Sequence, residues 1–127
     1  LACSDLTAEG ITTNITLIFS AAQAILAAKA GATYVSPFVG RLNDNSVSGI
    51  ELVRAISGLY SMHDYDTNVL AASIRDVHQV ARCFAAGADV VTLPIGIFWK
   101  MYDHILTRDG LAKFDADWAA LQGKLNG

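Results

Sequence analysis

Short apolar and β-branched runs alternate along the chain with longer segments of helical spacing, and this alternation restricts the possible folds more than any other feature. Residues 13–19, 34–38, 68–72 and 90–93 have the composition of buried strands. Ser20 and Gln23 follow the first run in the S-x-x-Q pattern of a helix capping box. A regular succession of strand and helix predicts an α/β protein with a parallel sheet.

The segments between the predicted strands differ in how clearly they indicate a helix. Residues 39–48 are polar and predict a loop. Ile50, Val53 and Ile56 then follow at helical spacing, and Asp76 is a suitable cap for the next helix. We expect the apolar face of that helix to contain Val77, Val80, Ala81 and Phe84. Pro94 ends the fourth strand, and two more helices are predicted, one around residues 98–101 and one over residues 109–121.

A short sequence motif that occurs twice limits the possible architectures further. Ala30-Gly31-Ala32 and Ala86-Gly87-Ala88 each close a predicted helix, and they lie 56 residues apart. This separation equals two units of about 28 residues, the repeat length of a (β/α)8 barrel. Residues 1–127 therefore predict four strand–helix units, half of a TIM barrel, with open sheet edges that favour association with another chain. An open flavodoxin-like sheet is the alternative, but the first strand-to-helix turn lacks a Gly-rich phosphate loop.

Charge and residue usage argue against several classes of protein. A net charge of −3 with scattered Lys and Arg predicts neither a nucleic-acid-binding face nor a polybasic membrane patch. The apolar runs are too short to span a bilayer, and the first residues do not resemble a signal peptide. Two cysteines, Cys3 and Cys83, and three histidines without metal-ligand spacing predict free thiols, no metal site and a reducing cytoplasm.

Polar residues in or after the strands are the candidate site, because barrel active sites lie at the carboxyl ends of the strands. Strict alternation would place Asn14, Thr16 and Ile18 on one face of the first strand. Thr16 by itself is better explained as an ordinary strand residue, since threonine is a good strand former, whereas Asn14 is less suited to a strand.

The next two strands add a second group of candidates. Ser36 and Phe38 alternate on one face of the second strand. Arg41 follows that strand, and Ser73 and Arg75 end the third, so two guanidinium groups and a hydroxyl could converge on a phosphate. Surface arginines exposed to solvent are the open alternative. The lysines all fall in predicted helices, where none is placed as a Schiff-base amine: Lys29, Lys100, Lys113 and Lys124.

Several motifs resemble the transaldolase family, in particular the small bacterial transaldolases related to fructose-6-phosphate aldolase. The resemblance extends from Thr7 to Trp118, with the motifs in the expected order. The stretches that carry it are residues 8–20 (AEGITTNITLIFS), 30–41 (AGATYVSPFVGR), 69–75 (VLAASIR), 87–89 (GAD) and 92–94 (TLP), followed by Phe114, Asp117 and Trp118. Motif by motif, the four strands resemble the fifth to eighth strands of a transaldolase-type (β/α)8 barrel.

The resemblance implies a class I mechanism of the pentose phosphate pathway, in which a barrel lysine forms a Schiff base and transfers a dihydroxyacetone unit between sugar phosphates. The implied partners are fructose 6-phosphate, sedoheptulose 7-phosphate and erythrose 4-phosphate, and no cofactor is implied. A homo-oligomer, or pairing with an N-terminal half, is also expected. In the family the lysine lies on the fourth strand, before the region that this chain resembles. The chain alone is therefore expected to be almost inactive as a transaldolase.

The resemblance also implies a role for each candidate residue. Asn14 and Thr16 are similar to the residues beside the reacting carbons, and Thr16 to the residue that positions a water for proton transfer. Ser36 and Phe38 are similar to the residues of the neighbouring sixth strand that form a wall of the family's active site. The phosphate-binding group would consist of Arg41, Ser73 and Arg75. Phe38 stands where fructose-6-phosphate aldolase has Tyr, which favours group transfer over simple cleavage. A non-catalytic module that binds sugar phosphates or dimerises through its open edges remains the alternative.

Overall fold

Four parallel strands form one sheet in the order β1-β2-β3-β4. The computed structural model describes all residues from Leu1 to Gly127. The strands are β1 Asn14–Ile18, β2 Tyr34–Pro37, β3 Asn68–Ala71 and β4 Val90–Val91. The helices are α1 Ala2–Ala8, α2 Ala21–Lys29, α3 Val39–Asp44, α4 Gly49–Met62, α5 Val77–Ala85, α6 Ile95–Lys100 and α7 Ile105–Asn126. The prediction of an α/β protein with a parallel sheet is confirmed. Two compact units are present, Leu1–Pro94 and Ile95–Gly127.

The core of the first unit lies between the sheet and the helices that connect its strands. Val35 of β2 pairs in register with Val69 of β3, and both are almost completely buried. Val53 and Ile56 of α4 are fully buried, and α4 contacts both strands. One face of the sheet is therefore covered by helices, as the apolar character of parallel strands requires.

A bulge interrupts β1 and changes which residues share a face. Ile15 pairs with Val35 and Ile18 with Pro37, so three residues of β1 span two of β2. Leu17 lies in the bulge with φ of 56°, a left-handed conformation that a leucine rarely adopts. The bulge turns Ile18 to the buried side of the sheet. The expected alternation of Asn14, Thr16 and Ile18 on one face is therefore wrong at Ile18.

The predicted helix ends at α2 and α5 are confirmed. Gln23 donates its backbone N–H to Ser20 Oγ at 3.2 Å, and Ser20 donates its own N–H to Gln23 Oε1 at 3.2 Å. This reciprocal pair satisfies two backbone donors at the start of α2. At the start of α5, Asp76 Oδ1 accepts the Gln79 N–H at 2.8 Å. Gly31 follows α2 with φ of 86°, the left-handed conformation expected at a helix end.

Two helix predictions are corrected by the structure. Residues 39–48, predicted as a loop, contain α3. Asn43 of this helix accepts the Gly49 N–H with Oδ1 at 3.0 Å, and Ser48 Oγ accepts the Glu51 N–H at 3.3 Å, so polar side chains of this run hold the start of α4. On α5, Val80 and Cys83 are buried, whereas Ala81 and Phe84 are exposed. The apolar stripe of α5 is thus rotated relative to the predicted one.

The second unit consists of α6 and α7 and contains no buried residue. Three aromatic rings of the segment around α6 contact one another, with centroids of Phe98 and Trp99 at 5.4 Å and of Phe98 and Tyr102 at 5.7 Å. Helix α7 has 22 residues, starting earlier and ending later than predicted. No helix in the structure combines the length and apolar character needed to cross a membrane.

Candidate active site

The segments after β2 and β3 are joined by backbone hydrogen bonds that extend the sheet past the strand ends. Phe38 forms an isolated parallel bridge with Ala72. Val39 donates its N–H to the Ala72 carbonyl at 2.9 Å, and Gly40 donates to the Ser73 carbonyl at 3.0 Å. The first turn of α3 therefore lies directly beside the segment that carries the predicted Ser73 and Arg75.

Gly40 is the point of closest approach between the two segments. A Cβ atom at this position would lie 2.9 Å from Arg75 Nε and 3.0 Å from Ser73 Oγ, and it would collide with the Ser73 carbonyl. Ser73 itself has φ of 60°, an uncommon conformation for a residue with a side chain. Only glycine leaves space here for Ser73 Oγ and Arg75 Nε, which both approach this position.

Arg75 is held at one end of its guanidinium group. Nη1 donates to Asp44 Oδ1 at 2.6 Å, and both side chains are about half exposed, 51% for Arg75 and 49% for Asp44. Nε and Nη2 have no hydrogen-bond partner in the protein. The backbone N–H of Arg75 donates to Gln79 Oε1 at 3.2 Å, which fixes the residue to the start of α5. Two donor groups of Arg75 therefore remain available to an anion.

Arg41 is oriented by an aromatic ring rather than by a carboxylate. Its Cζ lies 5.1 Å from the centroid of the Phe38 ring, within the range of a cation–π interaction. Phe38 in turn contacts Phe19 edge to face, with centroids 5.8 Å apart. The structure brings Ser73 and Arg75 together at Gly40, and it places Arg41 one residue further along α3. Arg41 makes no hydrogen bond with either of them.

The candidates on β1 and β2 form a second, smaller group. Ser36 is almost completely buried and donates its hydroxyl to Asn14 Oδ1 at 2.8 Å. Thr16 is exposed in the bulge and lines a groove of about 350 Å³ with Gln23 and Leu26. The hydrogen bond thus joins Asn14 and Ser36, while Thr16 makes no hydrogen bond with either.

Two further clefts lie at the amino ends of the strands, opposite the candidate site. One of about 220 Å³ is lined by Asp66 and Asp89 among others, and one of about 420 Å³ by Thr33 and Tyr65 among others. Ligands of open parallel α/β sheets bind outside the carboxyl ends of the strands, so the volume of these clefts alone does not select the site. No three His, Cys, Asp or Glu side chains lie close enough together to hold a metal ion.

The two perturbed ionisable groups belong to the core. Tyr60 donates its hydroxyl to the Ala24 carbonyl at 2.6 Å, and burial, with a smaller effect of Tyr65, raises its pKa to about 12. Burial also raises the pKa of Cys83 to about 11. Both groups are neutral at physiological pH and hold α4 and α5 in place rather than taking part in chemistry.

Sequence reasoning missed Gly40 and Asp44 as parts of this site. Asp44 stands in a polar run that predicts a loop, so its pairing with a residue 31 positions away has no local signal. Gly40 lies beside Arg41, but a single glycine gives no indication of what approaches it. The Ser73 hydroxyl and the free Arg75 donors, at the carboxyl ends of β2 and β3, offer hydrogen bonds of the kind that phosphate and carboxylate groups accept.

Comparison with known proteins identifies the family. The chain belongs to the transaldolase/fructose-6-phosphate aldolase family, whose model matches residues 1–125. It is 56% identical over 118 residues to a probable transaldolase of Agathobacter rectalis, covering 93% of this chain and 54% of that protein. It is 53% identical over 119 residues to a probable transaldolase of Phenylobacterium zucineum, covering 94% and 55%. The chain thus spans about half the length of the curated relatives it matches.

Solved structures show a likeness of fold alone. A crystal structure of mandelate oxidase with benzoyl-formic acid has a TM-score of 0.56 and 24% identity, covering 72% of this chain and 28% of that one. The family model and the curated relatives, rather than this likeness of fold, confirm the family membership expected from the motifs.

Proposed function

We propose that the chain supplies the phosphate-binding part of a transaldolase-type enzyme. The observation that carries this proposal is the cluster of Gly40, Ser73 and Arg75 in a member of the family. Ser73 Oγ and Arg75 Nε both lie beside Gly40, Arg75 Nη2 is also unoccupied, and a phosphate ester offers the matching oxygen acceptors. Arg41, held over the Phe38 ring, adds a second positive charge at the same end of the sheet.

The proposed reaction moves a dihydroxyacetone unit between sugar phosphates, with fructose 6-phosphate or sedoheptulose 7-phosphate as donor and erythrose 4-phosphate as an acceptor. A lysine amine condenses with the ketose carbonyl and releases water. The carbon–carbon bond then breaks, which releases the rest of the donor as an aldose phosphate and leaves an enamine on the lysine. The enamine attacks the aldehyde of the acceptor, and hydrolysis of the resulting imine releases the new ketose phosphate and the free amine. No metal or organic cofactor enters this scheme, because the iminium ion accepts the electron pair.

The reacting amine is proposed to come from outside residues 1–127. Lys29 lies on α2, Lys100 on α6, and Lys113 and Lys124 on α7. None of these stands on a strand that could direct an amine at a bound ketose. In this proposal β1 to β4 are the fifth to eighth strands of a (β/α)8 barrel. The parallel order and the two free edges, β1 and β4, support that assignment.

Asn14, Ser36 and Thr16 are proposed to act near the reacting carbons. The hydrogen bond between Ser36 and Asn14 fixes the amide of Asn14 beside the sheet surface. Thr16 would position a water molecule for proton transfer. Phe38 has no hydroxyl to hold a water, which supports transfer to an acceptor over simple release of the three-carbon unit.

A homo-oligomer in the cytoplasm is proposed for the protein, and helix α7 supports the association. Its large apolar side chains follow one another at intervals of three and four residues, the spacing of a helix–helix contact, and are 46–73% exposed: Leu111, Phe114, Trp118, Leu121 and Leu125. Light scattering should give a mass above that of one chain. The variant Trp118→Glu should shift it towards the monomer, whereas an unchanged mass would exclude α7 from the interface.

Transfer activity is tested by combining the chain with the amino-terminal part of a relative. With fructose 6-phosphate and erythrose 4-phosphate, the combination should form sedoheptulose 7-phosphate, and borohydride should trap a sugar adduct on the lysine of the added part. The chain alone should give neither result. If a folded combination remained inactive, the transaldolase proposal would be wrong.

The second candidate function is a non-catalytic module that binds sugar phosphates. The placement of all four lysines on helices favours it for the chain acting alone. Binding of fructose 6-phosphate by the chain, together with inactivity of the folded combination, would select this alternative.

A further inference from the structure

We propose that Asp44 is a positioning residue for the phosphate site. It fixes the Arg75 guanidinium group so that the edge formed by Nε and Nη2 faces the anion. The inference rests on the proposed function, since it assumes that Arg75 binds the phosphate. It adds a residue on α3 whose side chain acts through Arg75 and does not itself touch the substrate.

The geometry of the guanidinium group shows which edge is left for a ligand. Asp44 Oδ1 accepts from Nη1 at 2.6 Å. The opposite edge, Nε with Nη2, is one of the two that can bind a phosphate or carboxylate through parallel hydrogen bonds. Nε is the atom beside Gly40 and therefore on the same side as Ser73 Oγ. Pairing with Asp44 thus leaves free the edge whose Nε lies, like Ser73 Oγ, beside Gly40.

Local stability does not account for the position of Asp44. It is the last residue of α3, where a negative charge interacts unfavourably with the helix dipole. The ion pair is half exposed, and such pairs contribute little to folding. It joins two segments 31 residues apart, both at the carboxyl end of the sheet. The position of Asp44 is explained by its effect on Arg75, whose side chain the ion pair holds in one place at the site.

The ion pair of Glu51 and Arg54 provides a matched comparison. It has a similar donor–acceptor distance, 2.9 Å, and similar exposure, but it lies within α4 at a spacing of three residues. Neither partner belongs to the candidate site. Removing the Glu51 carboxylate therefore controls for the loss of a surface charge.

Two effects of Asp44 on an anion oppose each other, and two variants separate them. The carboxylate orders Arg75, which favours binding, and its charge repels the phosphate, which disfavours it. Asp44→Ala removes both effects. Asp44→Asn removes the charge but keeps a side-chain oxygen that accepts from Nη1.

The test is a calorimetric titration of the protein with inorganic phosphate, with circular dichroism to verify folding. Asp44→Ala should bind about threefold to tenfold more weakly than Asp44→Asn, because both variants lack the charge and only in the alanine variant must the ligand order the arginine. Asp44→Asn should bind at least as tightly as the wild type, and Glu51→Ala should bind as the wild type does. Binding by Asp44→Ala as tight as that by Asp44→Asn would overturn the positioning role.

Arg75→Ala separates failure of this inference from failure of the proposed function. If the wild type binds phosphate, Arg75→Ala does not, and Asp44→Ala binds as well as Asp44→Asn, only the role of Asp44 is wrong. If the wild type does not bind phosphate, or Arg75→Ala binds as well as it does, the phosphate site is refuted and the role of Asp44 with it.

Discussion

Replacing Gly40 with alanine should disturb both the fold and the site. The new Cβ would lie 2.9 Å from Arg75 Nε and 3.0 Å from Ser73 Oγ, and closer still to the Ser73 carbonyl. The two side chains can rotate away, but the carbonyl belongs to the backbone that pairs with Gly40 N–H. Overpacking of this kind costs about 1–3 kcal/mol. Alanine regains up to about 1 kcal/mol of helix propensity in α3, so the net loss should lie between about 0 and 3 kcal/mol, with a central expectation of about 1.5 kcal/mol.

Urea unfolding followed by circular dichroism measures this change, and Gly58→Ala is the matched control. Gly58 lies within α4, and no atom stands within 4 Å of the Cβ that alanine would add. Alanine there should raise the free energy of unfolding by about 0.5–1 kcal/mol. Gly40→Ala should also weaken phosphate binding. If Gly40→Ala were as stable as Gly58→Ala and bound phosphate normally, the close packing at Gly40 would be wrong.

Two further predictions concern the buried ionisable groups. Tyr60→Phe should lower the free energy of unfolding by about 1–2 kcal/mol, because the Ala24 carbonyl loses its donor. Burial raises the pKa of Tyr60 to about 12, so its contribution is complete below about pH 10 and is lost as the pH rises towards 12. Between pH 10 and 12 the free energy of unfolding should therefore fall more steeply for the wild type than for Tyr60→Phe. Parallel pH profiles of the two proteins would argue against a hydrogen bond from a protonated Tyr60. Cys83 is fully buried, and burial raises its pKa to about 11. At pH 8 it should react with a thiol reagent only after unfolding, whereas the partly exposed Cys3 should react in the native protein. Equal reaction rates of the two thiols in the native protein would contradict this prediction.

The parts of the fold that follow from local chemistry could be predicted from the sequence. The strand runs, the capping box at Ser20 and the left-handed glycine at Gly31 each depend on neighbouring residues only. The bulge in β1 could not be predicted in the same way. Leu17 adopts its left-handed φ because the pairing of Ile15 and Ile18 with β2 requires it, and that pairing is a property of two strands.

The candidate site could likewise be predicted from the sequence only in part. Arg41, Ser73 and Arg75 could be selected because polar residues at the carboxyl ends of parallel strands are expected to meet. The ion pair between Asp44 and Arg75 joins two separate segments, and nothing in the polar run around Asp44 distinguishes it from its neighbours. The rotation of the buried face of α5 towards Cys83 likewise depends on how the helix packs on the sheet.

The most direct test of the phosphate site compares binding of fructose 6-phosphate with binding of fructose to the same protein. The two ligands differ only in the group that Ser73 and Arg75 are proposed to hold. We predict that the phosphate ester binds, that fructose does not, and that Arg75→Ala abolishes binding without loss of folding. Equal binding of both sugars, or full binding of fructose 6-phosphate by Arg75→Ala, would contradict the proposed site.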